Sequence, residues 1–423
     1  MAGRGGGEAM KIIHVPRRFT RSEWGGTETV ILETCKWLRK LGHEVEILCP
    51  NALAASDEEE MEGVRVRRAP YFYPYLGLSR EARRMLDLKG GNLFSFSLMR
   101  RLKKMAGVDV IHAHTGKRLG GICRHVARKK RIPYVLSLHG GALDVPAAEA
   151  ATWTEPARGA WEWGKALGWW VGSRRVMDDA AAVICVGKRE QEIVAARLPG
   201  HRVVYQPNGV DAARFAQGDG QRFRALRAIP REAKLVLTVG RIDPQKNQRL
   251  ALAILAEVMK TEPDARLALV GHVTNPAYRD EVAAEMRQRG LDGRVTLIEG
   301  LDGASQELVD AYHAADVFLL PSAHEPFGIV ILEAWAAGRP VVATRVGGVP
   351  WFVADGKDGL LFESNDAAAG AAAVARMLKD KPLAARLASA GQRKAREEYG
   401  WEGIARRLAG LYEEVIRENP LRQ

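Results

Sequence analysis

A chain of 423 residues with 47% hydrophobic content is long enough for two domains of about 200 residues each and has the make-up of a soluble globular protein. It holds no run of about 18 uncharged apolar residues and no signal-peptide core near its start, and Cys35, Cys49, Cys123 and Cys185 lack CxxC or zinc-like spacing, so membrane spans and a disulfide framework are not expected and a reducing cytoplasm is. The net charge of +12 falls almost wholly in residues 1–200, which points that half toward an acidic partner: anionic lipid, a phosphorylated acceptor or, less in keeping with the rest, nucleic acid.

The first predicted strand, Met10 to Val15, leads through Gly25-Gly26-Thr27 into a helix that ends near Lys40, and Gly42 to Leu48 resumes as a strand, closing a βαβ unit. Further strands are expected at Val64 to Arg67, Val108 to His112, Tyr134 to Leu138, Ala182 to Val186 and Val203 to Tyr205. Turn signals at Gln206 to Asp211 break this series, and the polar, Arg-rich stretch 212–232 reads as a connector. A second series follows at Leu235 to Gly240, Ala265 to Gly271, Val295 to Ile298, Val317 to Leu320 and Pro340 to Thr344, and helices close the chain. Apolar strands that alternate with helices imply α/β domains with parallel sheets covered on both faces. The expected division is a first domain at 1–207, a linker at 208–232, a second domain at 233–400, and a last helix at 401–423 that packs back on the first domain.

Chemistry concentrates at predicted strand ends. Ala315 to Ser322 reads as a buried strand, which places Glu325 at its C-terminal end and Glu333 about two turns into the next helix, with Gly328 between them. Two carboxylates flanking the free N–H groups of a helix start suit a sugar hydroxyl, a phosphate and a ribose diol; a helix-end charge plus a surface Glu is the equal alternative. Arg241 and Lys246 follow the first strand of the second series, at the edge where open α/β sheets bind ligands; they are a pair able to neutralise a diphosphate or, ahead of that on these residues alone, ordinary solvated loop cations. Gly25-Gly26-Thr27 offers N–H groups to an anion but lacks GxGxxG spacing, and Gly116-Lys117-Arg118 fails as a phosphate-binding P-loop. No Asp-x-Asp triplet is present to hold a nucleotide-bound metal. His112, His114 and His139 end two neighbouring strands, Gly140-Gly141 following the last, and without a Cys or carboxylate at ligand spacing one substrate contact and two structural rings are expected in place of zinc. Trp153, Trp161, Trp163, Trp169 and Trp170 suit a sugar platform, a membrane interface or, slightly ahead, an aromatic core; the helix from Leu93 to Met105 is a basic interfacial helix or, ahead of that, an ordinary surface one.

Together the Gly25-Gly26 loop, Asp109 to His114, His139-Gly140, Pro207 to Asp211, Gly240-Arg241 with Lys246, and Glu325-Pro326-Phe327-Gly328 with Glu333 resemble glycosyltransferase family 4 over nearly the whole chain. The resemblance implies the GT-B fold, two facing Rossmann-like doubly wound parallel-sheet domains, and a retaining transfer from a UDP-, GDP- or ADP-sugar. It implies Glu325, His139, Arg241 and Lys246 as catalytic residues, and Gly25, Gly26, Phe327, Gly328, Ile329 and Glu333 as donor-binding ones, with no metal and no cofactor beyond the nucleotide sugar. A membrane-associated acceptor in surface polysaccharide, lipopolysaccharide or glycolipid synthesis, reached by peripheral contact at the inner face of the membrane, is the first expectation. A soluble acceptor follows it, and a nucleotide-sugar epimerase or sensor of the same fold is the remaining alternative.

Overall fold

The computed structural model describes residues 8–140 and 155–419 and divides the chain into two compact units, one of residues 1–207 with 404–423 and one of residues 208–403. The first is built on an eight-stranded sheet of β1 (Lys11–Val15), β2 (Glu44–Pro50), β3 (Glu58–Met61), β4 (Val64–Ala69), β6 (Val110–Ala113), β7 (Tyr134–Leu138), β9 (Ala182–Cys185) and β10 (Val203–Tyr205). Its order is β10-β9-β7-β6-β1-β2-β4-β3, parallel except where β3 pairs antiparallel with β4. Two short strands, β5 (Tyr75–Leu76) and β8 (Trp161–Glu162), pair apart from this sheet. Ile12, Ile13, Val110, Ile111, Val135 and Leu136 are buried on both faces, the pattern of a sheet covered by helices on each side.

The second unit carries β11 (Lys234–Val239), β12 (Ala265–Gly271), β13 (Val295–Glu299), β14 (Val317–Leu320), β15 (Val341–Thr344) and β16 (Leu360–Phe362) in the all-parallel order β13-β12-β11-β14-β15-β16. Both sheets are doubly wound about one strand. In the first, β1 sits between β2 and β6; in the second, β11 sits between β12 and β14. At such a reversal the loops beyond two adjacent carboxyl ends diverge and leave a crevice.

The expected linker at 208–232 is instead part of the second unit. Val210, Phe215, Phe223 and Ile229 are buried in the core with Leu235, Tyr312 and Trp335. Arg224, which makes the stretch look polar, is itself buried: its guanidinium donates to the carbonyls of Ala314, Pro230 and Ala233 and to Asp316. The last helix, Trp401–Arg417, begins with Trp401 against Gly209; from Ile404 it belongs to the first unit, where Leu408, Leu411, Tyr412 and Val415 share a core with Ile12, Ile31 and Val45.

Candidate functional site

Sheet order explains how residues 79 apart in sequence meet in the second unit. Because β11 and β14 are neighbours, with Val236 beside Val317 and Leu237 beside Phe318, their carboxyl-end loops run side by side. Lys246 Nζ from the first loop lies 2.5 Å from Glu325 Oε2 in the second, with side chains only 14% and 7% exposed. Ser322 Oγ donates to the same oxygen at 3.3 Å, and Gln245 ties the loops twice, its Nε2 donating to His324 O and its backbone oxygen accepting from Ala323 N. An ammonium has three protons, so Lys246 holds Glu325 and keeps donors for an anion. Arg241 stands more exposed, near Asp243 at 3.3 Å and donating to Gln245 Oε1 at 2.8 Å.

Gly328 caps the Ile329–Ala336 helix at a φ of +97°, a left-handed turn that a side chain would strain. The Phe327 side chain is buried and stacks on Phe352 with ring centres 4.8 Å apart. In Glu333, Oε2 accepts from Tyr312 at 2.6 Å and burial raises the carboxyl above its usual range, a shift the tyrosine bond partly offsets; Oε1 has no protein partner among the described residues. Sequence reasoning missed the support behind Glu325. The loop after β15 brings Gly347, at a φ of +53°, so close that a Cβ there would lie 2.1 Å from Glu325 O, and Gly348 N donates to that oxygen at 2.8 Å. It also missed His324, next to Glu325, whose Nε2 is buried and has no partner among the described residues.

In the first unit the equivalent crevice, beyond β1 and β6, is a cavity of about 170 Å³ lined by Arg17, Gly90, Gly91, Asn92, Leu93, Thr115, Gly116, Lys117 and Leu119. No carboxylate is among these residues. Burial depresses the Lys117 ammonium and the Arg17 charge depresses it further, while Arg17, depressed chiefly by burial, donates to Asp87 O at 2.9 Å. One half-buried cation, Arg17, and one exposed cation, Lys117, face this cavity, an arrangement that suits an anion. Neither carries a sequence signal, since a lone cation after a strand has no partner in the local sequence and Gly116-Lys117-Arg118 is not a P-loop.

Gly25, Gly26 and His139 belong to this first unit, and Lys246 and Glu325 to the second. The anion expected at Gly25-Gly26 is supplied by the chain: the Glu28 carboxylate, raised chiefly by burial, accepts from the backbone of Gly25 and of Glu28 and has Arg18 at 3.6 Å. His139 joins a stack with His114, His112 and a fourth ring, His14, hidden mid-strand in β1. His14 Nδ1 meets His114 Nε2 at 2.9 Å, His114 Nδ1 meets His139 Nε2 at 2.8 Å, and His112 engages Tyr412 and Ser137. Burial lowers His14 to about 3 and His139 to about 4, and it carries His112 and His114 well below the usual range, so all four are neutral at pH 7. Nitrogens of His14, His112 and His114 lie within 4.8 Å of one another, yet both of those on His112 and on His114 are already hydrogen-bonded, and a metal there would have to break those bonds. The aromatic core expected of the tryptophans is not found: Trp161, Trp163, Trp169 and Trp170 are exposed, and Trp153 and Gly141 lie outside the described residues.

Two family models match in succession, Glycosyltransferase Family 4 over residues 24–214 and Glycosyl transferases group 1 over residues 220–394. The D-inositol 3-phosphate glycosyltransferase 2 of Catenulispora acidiphila is 33% identical, covering 93% of this chain and 91% of that one. The D-inositol 3-phosphate glycosyltransferase of Stackebrandtia nassauensis is 30% identical over 93% and 87%. Among solved structures, Anabaena HepE in complex with UDP and glucose shares the fold at a TM-score of 0.71 and 19% identity, over 96% of this chain and all of that one.

Proposed function

Because the chain belongs to glycosyltransferase family 4 and has the GT-B fold, we propose that it is a retaining, metal-independent hexosyltransferase that moves a sugar from a UDP-, GDP- or ADP-sugar onto a hydroxyl of a phosphorylated polyol. The observation that carries the donor half is the buried Lys246–Glu325 pair at the reversal of the second sheet. Glu325 accepts from a donor-sugar hydroxyl, backbone from Phe327 to Ile329 meets the sugar and its phosphate, and Glu333 Oε1 takes the ribose diol while Tyr312 holds Oε2. Lys246 and Arg241 stabilise the diphosphate as the glycosidic bond breaks, fixed cations in place of a metal. Retention follows if the acceptor attacks from the leaving-group face and its proton passes to the departing phosphate oxygen. His139, neutral at pH 7, acts toward the donor sugar as a hydrogen-bonding ring and not as a cation.

For the acceptor, the support is the Arg17–Lys117 cavity and the relatives' names, which specify an inositol phosphate. A free polyol phosphate is the direct reading of those names. A phosphorylated lipid headgroup, as in surface polysaccharide or glycolipid synthesis, is the second, favoured by the exposed tryptophans of the same unit. The test incubates purified protein with UDP-, GDP- and ADP-sugars and a panel of inositol and other polyol phosphates, with products read by mass spectrometry and the anomeric proton by NMR. Transfer with retained configuration is expected. Isomerised sugar without transfer would make the protein an epimerase, and binding without turnover would make it a sensor.

A further inference from the structure

Six of the largest exposed apolar side chains gather in one region of the first unit: Leu76 at 58%, Phe96 at 50%, Trp161 at 65%, Trp163 at 40%, Trp169 at 87% and Trp170 at 45% exposure. Contacts join five of them in two groups, and Trp169 is next to Trp170 in the chain. Trp161 pairs across β8 with Leu76; Trp163 stacks on Phe72, with ring centres 5.8 Å apart, and Phe72 on Phe96 at 5.9 Å; Trp170 lies 6.3 Å from both Phe94 and Phe96. An exposed apolar patch of this extent marks a docking surface.

Charge says what docks. The helices at this face, Phe96–Lys104, Lys117–Lys130 and Lys165–Val171, contain no Asp or Glu. On the first of them, Phe96, Arg100, Lys103 and Lys104 are exposed at helical spacings of four, seven and eight, one stripe that runs from an aromatic ring into cations. Lys103 and Lys129 also lie close enough to His125 to depress it, behind burial, and His125 packs on Trp170 at 5.3 Å, so cations border the aromatic face on that side too. Glu162, between Trp161 and Trp163, is paired with Arg118, and an aromatic face bordered by Lys and Arg on the Phe96 and Trp170 side matches the interface of an anionic bilayer, where rings enter the headgroup layer and cations meet lipid phosphates. A second copy of this chain would bring like charge against like charge.

We infer that this face docks the protein, without spanning, on an anionic lipid surface. Trp161, Trp163, Trp169, Trp170 and Phe96 enter the headgroup layer, and Arg100, Lys103 and Lys104 lie against lipid phosphates. The proposed acceptor cavity is tied to it through Arg118, which donates both to Asn92 O at 2.7 Å, Asn92 lining the cavity, and to Gly164 O at 3.0 Å in the tryptophan segment. Docking therefore deepens the acceptor reading by holding the cavity at the level of lipid headgroups.

The full chain is sedimented with phosphatidylglycerol–phosphatidylcholine vesicles and with phosphatidylcholine vesicles at low salt. Binding is expected to the anionic vesicles only, with a blue shift of tryptophan emission and release by salt. Trp161→Ser with Trp169→Ser should weaken partitioning by at least about tenfold. Lys103→Glu with Lys104→Glu should weaken it by at least about thirtyfold. Both pairs are exposed, so melting temperature and transfer to a soluble polyol phosphate stay at the wild-type level. Equal sedimentation with both vesicle types, or double variants that partition like the wild type, overturns the inference. So does a dimer in solution that either pair dissolves. Vesicle binding is read without nucleotide sugar and transfer without vesicles, so failure of docking and failure of the transferase reading are separate results.

Discussion

The two sheets reverse at equivalent strands, yet the charges at the two reversals are arranged differently. Beyond β11 and β14, Lys246 and Glu325 already neutralise each other in a buried pair backed by Ser322 and two glycines. Beyond β1 and β6, Arg17 and Lys117 face a cavity whose lining holds no carboxylate. A neutral pair suits a ligand that brings hydroxyls for the carboxylate and a diphosphate for the ammonium. Cations without a carboxylate in the cavity lining suit a ligand that itself brings negative charge. On the proposed reading the donor therefore enters a site preorganised before it arrives, whereas the acceptor completes the electrostatics of its own.

Breaking the preorganised pair has the largest expected effect. Glu325→Ala and Lys246→Ala should each lower kcat/KM by about 10³, with the double variant no worse than either single one because the two act as a unit. Steady-state transfer rates decide this; near-wild-type turnover in both would remove the site.

A second contrast is protonation, since the histidine stack belongs to the first unit alone. With folded values of about 3 for His14 and about 4 for His139 against 6.5 unfolded, the unfolded chain binds more protons between those limits. Stability from the neutral stack is complete above pH 6.5 and is lost as pH falls toward about 4, roughly 3 kcal/mol for one such ring. Hydrogen exchange at pH 7 and pH 5 should show β1, β6 and β7 losing protection before β11 and β14, and equal loss in the two sheets would break the contrast.

Arg17→Ala or Lys117→Ala should raise the acceptor KM by about thirtyfold, a charged hydrogen bond of about 2 kcal/mol, and leave slow hydrolysis of the donor unchanged. A neutral acceptor losing as much would show that the cavity does not read phosphate. The smallest effect is expected of Tyr312→Phe, which frees Glu333 to rotate and should raise the donor KM by about fivefold with kcat held, as initial-rate kinetics would show.

Buried parallel strands were legible because they read as apolar runs bounded by turn residues, and Glu325 with Lys246 was legible because each follows such a run. What remained hidden depends on neighbours distant in sequence. Arg224 looks like linker chemistry until its guanidinium is seen satisfying the Ala314 carbonyl, 90 residues away. Arg17 and Lys117 acquire meaning only once β1 and β6 are adjacent. His14, mid-strand in β1, carries no signal of the stack it completes, and Gly347 none of its closeness to Glu325. The tryptophans mislead in the other direction, since their spacing suits a core as well as a surface, and exposure is a tertiary property.

The central claim is that a nucleotide sugar binds where Lys246 meets Glu325, and calorimetric titration of UDP-, GDP- and ADP-sugars into wild-type protein and Lys246→Ala tests it most directly. The account predicts saturable binding of one donor class to the wild type and a loss of about thirtyfold in the variant, about 2 kcal/mol from one charged hydrogen bond. Equal affinity in the two proteins would contradict it.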